Sequence, residues 1–495
     1  MNASPSGARD SLGRRMARGA GWMILLRAVD RAIGVVSISI LARLLLPEDF
    51  GLVALAVSVA AIVEAFGALS VEAALIRNYD SGRTQYDSAW TIRAAASCAL
   101  ALVLLAAAEP AAAFFRDPRV AAILYVLAAT TAIAGFENIG TVEFQKELEF
   151  RRDFTYQFTT RIAATAVTIL AAIVLRDYWA LVIGMACRSV FRVAMSYAVH
   201  PYRPRFSTEH VRPLFKFSKW LLAQNVIGGV NTRLSNIILG RLTAVDLVAY
   251  FTVGSEIARL ATSEIQAPIR RAIYPGFAKV AADLGHLRQT FLGSFAMMTL
   301  LALPIAVGIG LVADDAVKLL LGPRWLPAIP IVQIIALAGA IQSLRTGSHL
   351  VYLAINRPQL ALILGLLSFT ITLPLLIVGI EMAGIIGAAW ATVAAGAVLI
   401  FADYALLARY LRVTPSDFVA ALWRPVIAAA LMAACVLALK TALPPSEGWA
   451  DALLGLAVCV PLGAAVYVGA VFLFWRWAHR PDGAEQAILA TLRRG

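Results

Sequence analysis

The sequence predicts an all-helical protein that crosses a membrane about fourteen times, and three observations support this fold class. The 495 residues are 60% hydrophobic and only 15% charged, and the mean hydropathy is +0.77. Soluble domains contain about 45–50% apolar and about 25% charged residues. The apolar residues also form long uninterrupted runs, whereas the positive net charge of +13 lies mostly between them. A nucleic-acid-binding protein is therefore excluded.

Each apolar run has the length of a membrane-spanning helix, which needs about 20 apolar residues. Backbone polar groups need internal partners in hydrocarbon, so these runs are predicted to be helices. The first run is too long for the core of a signal peptide. The predicted spans are 20–46, 50–76, 89–109, 120–141, 154–175, 178–199, 217–240, 247–268, 290–313, 328–353, 358–380, 382–408, 425–443 and 450–475.

The distribution of Lys and Arg predicts the orientation of the chain. With a cytoplasmic N-terminus, these residues in the cytoplasmic connections outnumber those in the external connections by about three to one. Cytoplasmic loops of membrane proteins carry this excess, so both termini are expected in the cytoplasm. The predicted organisation is a tail (1–19), an N-lobe (20–199), a basic linker (200–216), a C-lobe (217–408), an appended helix pair (425–475) and a second tail (476–495).

The two predicted lobes resemble each other in sequence. At an offset of 198 residues, Trp22 aligns with Trp220 and Arg43 with Arg241, in the first and seventh spans and their exits. Six helices between two copies preserve the direction of the chain, so the repeat is parallel. Parallel repeats in transporters are related by an axis along the membrane normal, with the substrate site at their interface. The sequence therefore predicts two six-helix lobes around a central cavity.

Charged and polar side chains within the spans are the candidate functional residues. Such side chains are costly in hydrocarbon and usually face a bundle interior or a watery cavity. In the first span, Arg27, Asp30 and Arg31 share one helix face, and in the sixth span Arg188 and Arg192 lie four residues apart. The candidate substrate-binding residues are Arg27, Asp30, Arg31, Arg161, Arg188, Arg192, Asn225, Arg233, Arg259 and Arg345.

Each candidate also has a structural interpretation. An Arg–Asp pair in the first span can join helices without binding cargo. Arg188, Arg192, Arg161 and Arg345 can instead extend towards the cytoplasmic interface, which is the preferred interpretation for Arg93. Carboxylates can act as counter-ions, form salt bridges or carry a coupling ion. The ion-coupling candidates are Asp30, Glu64, Glu72, Glu256 and Glu264.

Nine Arg assigned to the interior of the spans stand against the carboxylates Asp30, Glu64, Glu72, Glu137, Glu256 and Glu264. The forked guanidinium suits phosphate geometry. A cationic central cavity and an anionic cargo are therefore predicted, and a pyrophosphate fits better than a cationic drug.

Four segments resemble the Wzx-type polysaccharide transporters: LARLLLPEDFGLVALA (41–56), EFQKELEFRRDF (143–154), RDYWALVIG (176–184) and FKFSKWLLAQN (215–225). The resemblance is strongest to the branch that contains the colanic acid exporter. It implies the fold of the multidrug/oligosaccharidyl-lipid/polysaccharide exporter superfamily. It also implies a cargo, an oligosaccharide repeat unit on undecaprenyl pyrophosphate, which alternating access flips from the cytoplasmic to the periplasmic leaflet of the bacterial inner membrane.

No cofactor or metal is predicted, and the choice between proton and sodium coupling stays open. The expected partners are the lipid-linked oligosaccharide, the bilayer, and a polysaccharide polymerase with its chain-length regulator. Two alternatives also stay open: a multidrug or metabolite exporter of the same fold, and a passive scramblase or assembly component. A membrane enzyme is disfavoured because no connection exceeds about 20 residues, which leaves no room for a catalytic domain.

Overall fold

The computed structural model describes residues 5–67, 72, 75–76, 82–147, 149–209, 211–280, 283–442 and 448–478. Within these ranges, side chains are described except at 5–20, 24, 211–221, 260–275, 278, 346 and 358.

The described chain is helical, as the sequence predicts. The helices are α1 (Pro5–Leu44), α2 (Pro47–Ala65), α3 (Arg83–Phe115), α4 (Arg119–Gly135), α5 (Val142–Lys146), α6 (Phe150–Leu175), α7 (Trp179–Val199), α8 (Val211–Leu242), α9 (Val245–Val280), α10 (Leu284–Leu311), α11 (Ala313–Leu320), α12 (Ile329–Ala354), α13 (Pro358–Leu411), α14 (Pro415–Ala442) and α15 (Trp449–Trp477). Short 3₁₀ helices occur at Ile139–Thr141 and Pro323–Ala328.

Eight helices within the described ranges are long and apolar enough to cross a membrane. The bent pair Arg119–Gly135 and Ile139–Lys146 makes a ninth if it is counted as one span. Helices α1, α2, α8 and α9 overlap other predicted spans but carry more charge or polar sequence. The chain is therefore an all-helical, multi-pass membrane protein.

Helix α13 is longer than one membrane crossing requires. Its 54 residues would extend about 80 Å as a straight helix, whereas the hydrocarbon core is about 30 Å thick. The backbone leaves helical geometry at Ala383 and Gly384, and Gly384 has a φ of 58°. Gly379 and Gly387 approach so closely that a Cβ on Gly387 would lie 1.8 Å from the Gly379 carbonyl oxygen. The break coincides with the boundary between the predicted spans 358–380 and 382–408.

Contacts divide the chain into two compact units, Met1–Arg233 and Leu234–Gly495. In unit 1, α3 packs on α4, α6 packs on α7, and α1 packs on α6. The contact between α6 and α7 is close because a Cβ on Gly184 would lie 1.9 Å from Thr168 Oγ1. Small residues allow this approach between membrane helices, and it brings the polar residues of α6 and α7 together.

In unit 2, α12 packs against α9, α10 and α13. An aromatic core of Phe291, Phe295, Tyr352 and Phe418 joins α10, α12 and α14. The last two helices, α14 and α15, pack on each other, and α14 also packs on α10. Lys440 Nζ lies 2.9 Å from Asp315 Oδ2, so an ion pair holds the far end of α14 to α11.

The connections that follow α1 and α8 occupy equivalent positions. Helix α1 ends at Leu44 and α2 begins at Pro47, while α8 ends at Leu242 and α9 begins at Val245. The two helix ends are 198 residues apart, and so are the two helix starts, which is the offset of the sequence repeat. The repeat is thus accompanied by equivalent helix ends.

Candidate functional site

A cavity of about 270 Å³ lies within unit 1. Its walls come from α1, α6, α7 and the segment 141–145, and from Glu72 and Ile76. It is therefore built between helices of one unit, where membrane transporters place ionisable residues that bind substrates or ions. Five of the candidate residues line it: Asp30, Glu72, Arg161, Arg188 and Arg192.

Helix α6 contributes a polar stripe to the cavity. Asp153, Gln157 and Arg161 follow one another at four-residue intervals, and Tyr156 and Thr160 lie beside them. Residues at this spacing share one helix face. Gln157 Nε2 donates a hydrogen bond to Asp153 Oδ1 at 2.8 Å, so the first two members of the stripe are held in register.

A buried carboxylate, Glu137, organises one wall. Only 4% of its side chain is exposed, and Arg192 Nε lies 3.0 Å from its Oε2. Tyr156 donates its hydroxyl hydrogen to Glu137 Oε1 at 2.6 Å, and Arg93 donates to Oε2. Arg93 Nη1 also reaches Glu72 Oε1 at 3.0 Å. Buried charges need such partners, so Glu137 compensates both arginines and fixes Arg192.

Arg161 and Arg188 differ in their pairing. Arg161 Nε lies 3.3 Å from Asp30 Oδ1, which joins α6 to α1. Arg188 is exposed to the cavity, and among the described residues it makes no hydrogen bond or ion pair. Its nearest charges are those of Arg161, Asp30 and Arg192. Arg188 is thus the arginine of this cavity whose hydrogen-bond donors are available to an incoming anion.

The charge of this cavity is mixed. Three arginines, at positions 161, 188 and 192, face four carboxylates at positions 30, 72, 137 and 153. The sequence predicts a net cationic central cavity between the two lobes, whereas this cavity lies within unit 1 and its lining is not net cationic. Its charge is mixed because Glu137 and Asp153 line it beside the predicted candidates. The positive charge that remains available is concentrated at Arg188.

The segment that carries Thr141 and Gln145 packs against the start of the predicted basic linker. Asn138 Nδ2 donates to the Tyr202 carbonyl oxygen at 2.8 Å, and a Cβ on Gly140 would lie 2.3 Å from His200 Nδ1. Tyr202 donates its hydroxyl hydrogen to Asp87 Oδ1 at 2.6 Å. Burial and this bond raise the pKa of Tyr202 above its usual value, so it stays a donor at neutral pH.

Other predicted residues of unit 1 lie outside this lining. Arg27, Arg31, Asn225 and Arg233 are half-buried, and none of them is among the residues that line the described cavity. Glu64 is exposed and accepts a hydrogen bond from Thr131 Oγ1 at 3.0 Å. These residues keep their predicted roles without support from this cavity.

The remaining predicted residues belong to unit 2. Arg345 Nε lies 2.6 Å from Asp403 Oδ2, and their side chains are 15% and 4% exposed. This is the geometry of a buried ion pair between helices and not of extension towards the cytoplasmic interface. Glu256 and Arg259 are exposed. The side chain of Glu264 lies outside the described residues.

Several residues of the site are not among the predicted candidates. Glu137 is one of the intramembrane carboxylates, but its sequence surroundings indicate no function. The sequence places Arg93 at the cytoplasmic interface, whereas the structure pairs it with Glu137 and Glu72. Asp153 and Gln157 precede Arg161 at helical spacing, and this signal could have identified them. The contact between Glu137 and Arg192 joins residues 55 positions apart, and no local pattern predicts it.

The comparisons with known proteins identify the family. The family described as "Polysaccharide biosynthesis protein" matches residues 40–330. The chain belongs to this family. It is similar to the lipopolysaccharide biosynthesis protein WzxC of Escherichia coli, at 21% identity over 84% of this chain and 85% of that protein. It is also similar to the succinoglycan biosynthesis transport protein ExoT of Rhizobium meliloti, at 23% identity over 66% and 67%.

Solved structures show the fold. The structure titled "Lipid II flippase MurJ, inward closed conformation" aligns with a TM-score of 0.72 and 15% identity, over 92% of this chain and 99% of that chain. An inward-facing multidrug resistance MATE transporter aligns with a TM-score of 0.59 and 14% identity, over 78% and 96%. The chain therefore belongs to a family of polysaccharide biosynthesis and has the fold of membrane transporters rather than of enzymes.

Proposed function

We propose that this protein flips undecaprenyl-pyrophosphate-linked oligosaccharide repeat units from the cytoplasmic to the periplasmic leaflet of the bacterial inner membrane. The observation that carries the proposal is the family match over residues 40–330. The names of two relatives associate them with lipopolysaccharide and succinoglycan, and that of a third with teichuronic acid. A shared lipid carrier explains how one family serves different polymers.

The proposed topology has fourteen spans and both termini in the cytoplasm. Residues 20–199 and 217–408 form the two lobes of an alternating-access transporter, with a cationic central cavity, and residues 425–475 form the appended pair. The excess of Lys and Arg in the assigned cytoplasmic connections supports this orientation. The break at Ala383 and Gly384 supports two spans within α13.

We assign the pyrophosphate of the cargo to Arg188, with Arg161 and Arg192 beside it. A guanidinium forms charge-assisted, forked hydrogen bonds with phosphate oxygens. Arg192 and Arg161 are held by Glu137 and Asp30, so Arg188 is the first of the three to meet the cargo while those ion pairs are intact. The negative charge of a pyrophosphate also compensates the repulsion that Arg188 experiences from its arginine neighbours.

Asp30 and Glu72 are the ion-coupling candidates that line this cavity. Each is bound to an arginine, Asp30 to Arg161 and Glu72 to Arg93. Protonation or sodium binding at either carboxylate would weaken its ion pair and release an arginine towards the cargo. A polymerase with its chain-length regulator is the proposed consumer of the translocated unit.

Reconstituted protein tests the proposal directly. Liposomes that contain the purified full-length chain and the lipid-linked repeat unit are treated with an impermeant oxidant of sugars, and the fraction of accessible lipid is followed over time. We expect the protein to accelerate the loss of inner-leaflet lipid, and the Arg188→Ala variant to do so far more slowly. Equal rates with and without protein, together with transport of a cationic dye, would favour the multidrug exporter.

A further inference from the structure

Uncharged and acidic hydrogen-bonding groups line the cavity in unit 1 together with its arginines. We propose that Gln145, Asp153 and Gln157 form a saccharide-binding subsite that contacts the sugar next to the pyrophosphate of the cargo. The inference rests on the proposed function, which supplies the lipid-linked sugar. It adds residues that determine which sugars the transporter accepts.

The three side chains are available for a ligand. The hydrogen bond between Gln157 and Asp153 uses one amide hydrogen and one carboxylate oxygen. Among the described residues, the second Asp153 oxygen, the Gln157 carbonyl oxygen and the whole Gln145 amide have no hydrogen-bond partner. Gln145 and Gln157 are also exposed. Because the bond to Asp153 limits the rotamers of Gln157, a ligand finds this pair already ordered.

The chemistry of these groups matches that of a sugar. Every sugar hydroxyl is both a donor and an acceptor, and a carboxylate and two amides that line one cavity offer both functions. A site that hydrogen-bonds substrate hydroxyls rejects analogues that lack them, since its own polar groups are then left unpaired. Pyrophosphate, which only accepts hydrogen bonds when it is ionised, gains nothing from Asp153 and is repelled by it.

The order of residues along α6 gives the subsite a direction. Asp153 and Arg161 are separated by two turns, about 12 Å along the helix axis. In the proposed topology the start of α6 is cytoplasmic, so Asp153 lies towards the cytoplasm and Arg161 towards the bilayer interior. A lipid-linked sugar has the same order, with its lipid in the bilayer, then pyrophosphate, then the sugar. The order of residues along the stripe therefore matches the order of groups in the cargo.

The volume of the cavity limits how much of the cargo it can contact. Its volume of about 270 Å³ is below the range of about 300–1,000 Å³ typical of sites that enclose a drug-sized ligand. The subsite thus accommodates the first sugar, while the rest of the repeat unit extends outside it. A transporter of this kind would be selective for the first sugar and tolerant of later ones.

Binding to two lipids separates the subsite from the proposed function. The purified full-length chain in detergent is titrated with undecaprenyl pyrophosphate, which has no sugar, and with undecaprenyl pyrophosphate carrying a single N-acetylhexosamine. The variants are Gln157→Leu and Gln145→Ala, which lie on different elements. The control is Thr155→Ala, an exposed α6 position outside the cavity lining. Arg188→Ala is the pyrophosphate variant.

We expect each Gln variant to weaken binding of the sugar-bearing lipid about three- to ten-fold, the value of one uncharged hydrogen bond. Binding of the sugar-free lipid should be unchanged, while Arg188→Ala should weaken both lipids. Equal effects of the Gln variants on the two lipids, or no effect on either, would overturn the subsite alone. Failure of the unmodified chain to bind either lipid would overturn the proposed function.

Discussion

Arg192 Nε lies 3.0 Å from Glu137 Oε2, and this ion pair distinguishes Arg192 from Arg188, which is one helical turn earlier on α7. Glu137 also accepts hydrogen bonds from Arg93 and Tyr156. One buried carboxylate therefore holds α3, α6 and α7 around the cavity. Two arginines that look alike in the sequence therefore have different surroundings, because Arg192 is held by an ion pair and Arg188 makes none among the described residues.

Replacement of Glu137 by Gln should destabilise the protein. The variant leaves Arg93 and Arg192 without their shared anion, and breaking a buried ion pair costs about 3–5 kcal/mol. Because Arg192 is half exposed, we expect a loss near the lower limit, seen as a lower midpoint of thermal unfolding in detergent. Glu64→Gln is the control, since Glu64 is exposed and accepts its hydrogen bond from Thr131. Equal shifts for the two variants would contradict this role of Glu137.

Replacement of Arg188 by Ala should reduce transport at normal membrane abundance. A charge-assisted hydrogen bond contributes about 1.5–3 kcal/mol, so the rate should fall by about ten- to a hundred-fold. Arg188→Lys should recover only part of it, because Lys lacks the forked geometry. Arg151→Ala, an exposed arginine at the start of α6, is the control. Full activity of the Lys variant would favour extension of Arg188 to the interface.

Arg345 should prove to be a structural residue. Arg345→Met alone leaves buried Asp403 unpaired and should destabilise unit 2, whereas Arg345→Met with Asp403→Leu should recover stability, since apolar replacement of a buried pair is often neutral or stabilising. Export by the double variant is the measurement. A stable double variant without export would instead place Arg345 in contact with cargo.

Gly184 should tolerate no side chain. A Cβ at this position meets Thr168 Oγ1 at 1.9 Å, so Gly184→Ala forces α6 and α7 apart at a cost of about 1–3 kcal/mol and moves Arg188 away from Arg161. We expect lower thermal stability and slower transport. Gly228→Ala is the matched control, because a Cβ there meets nothing within 4 Å. Similar behaviour of the two variants would contradict the close packing of α6 on α7.

The sequence predicts the helical elements well, because each needs only a local apolar run. The break within α13 and the equivalent helix ends at Leu44 and Leu242 follow from such local signals. The partners of intramembrane charges do not follow from local signals. Arg345 and Asp403 are 58 residues apart, and their pairing depends on how α12 packs on α13. Sequence therefore identified Arg192 and Arg345 as unusual but not as bound.

Only part of the cavity lining follows from local sequence patterns. The spacing of Arg188 and Arg192 predicts a shared face, and both line the cavity. Asp153 and Gln157, however, lie at the boundary of a predicted cytoplasmic loop, where polar side chains are common. Their spacing from Arg161 indicates a shared helix face, but only the folded chain places them in one cavity with Arg188 and Arg192.

Deletion of the gene, followed by leaflet-resolved analysis of extracted lipids, tests the proposed flippase most directly. The account predicts loss of surface polymer and accumulation of single repeat units on undecaprenyl pyrophosphate in the cytoplasmic leaflet, with recovery by the wild-type gene but not by the Arg188→Ala variant. Accumulation of these units in the periplasmic leaflet would contradict it, because the cargo would then have crossed the membrane without this protein.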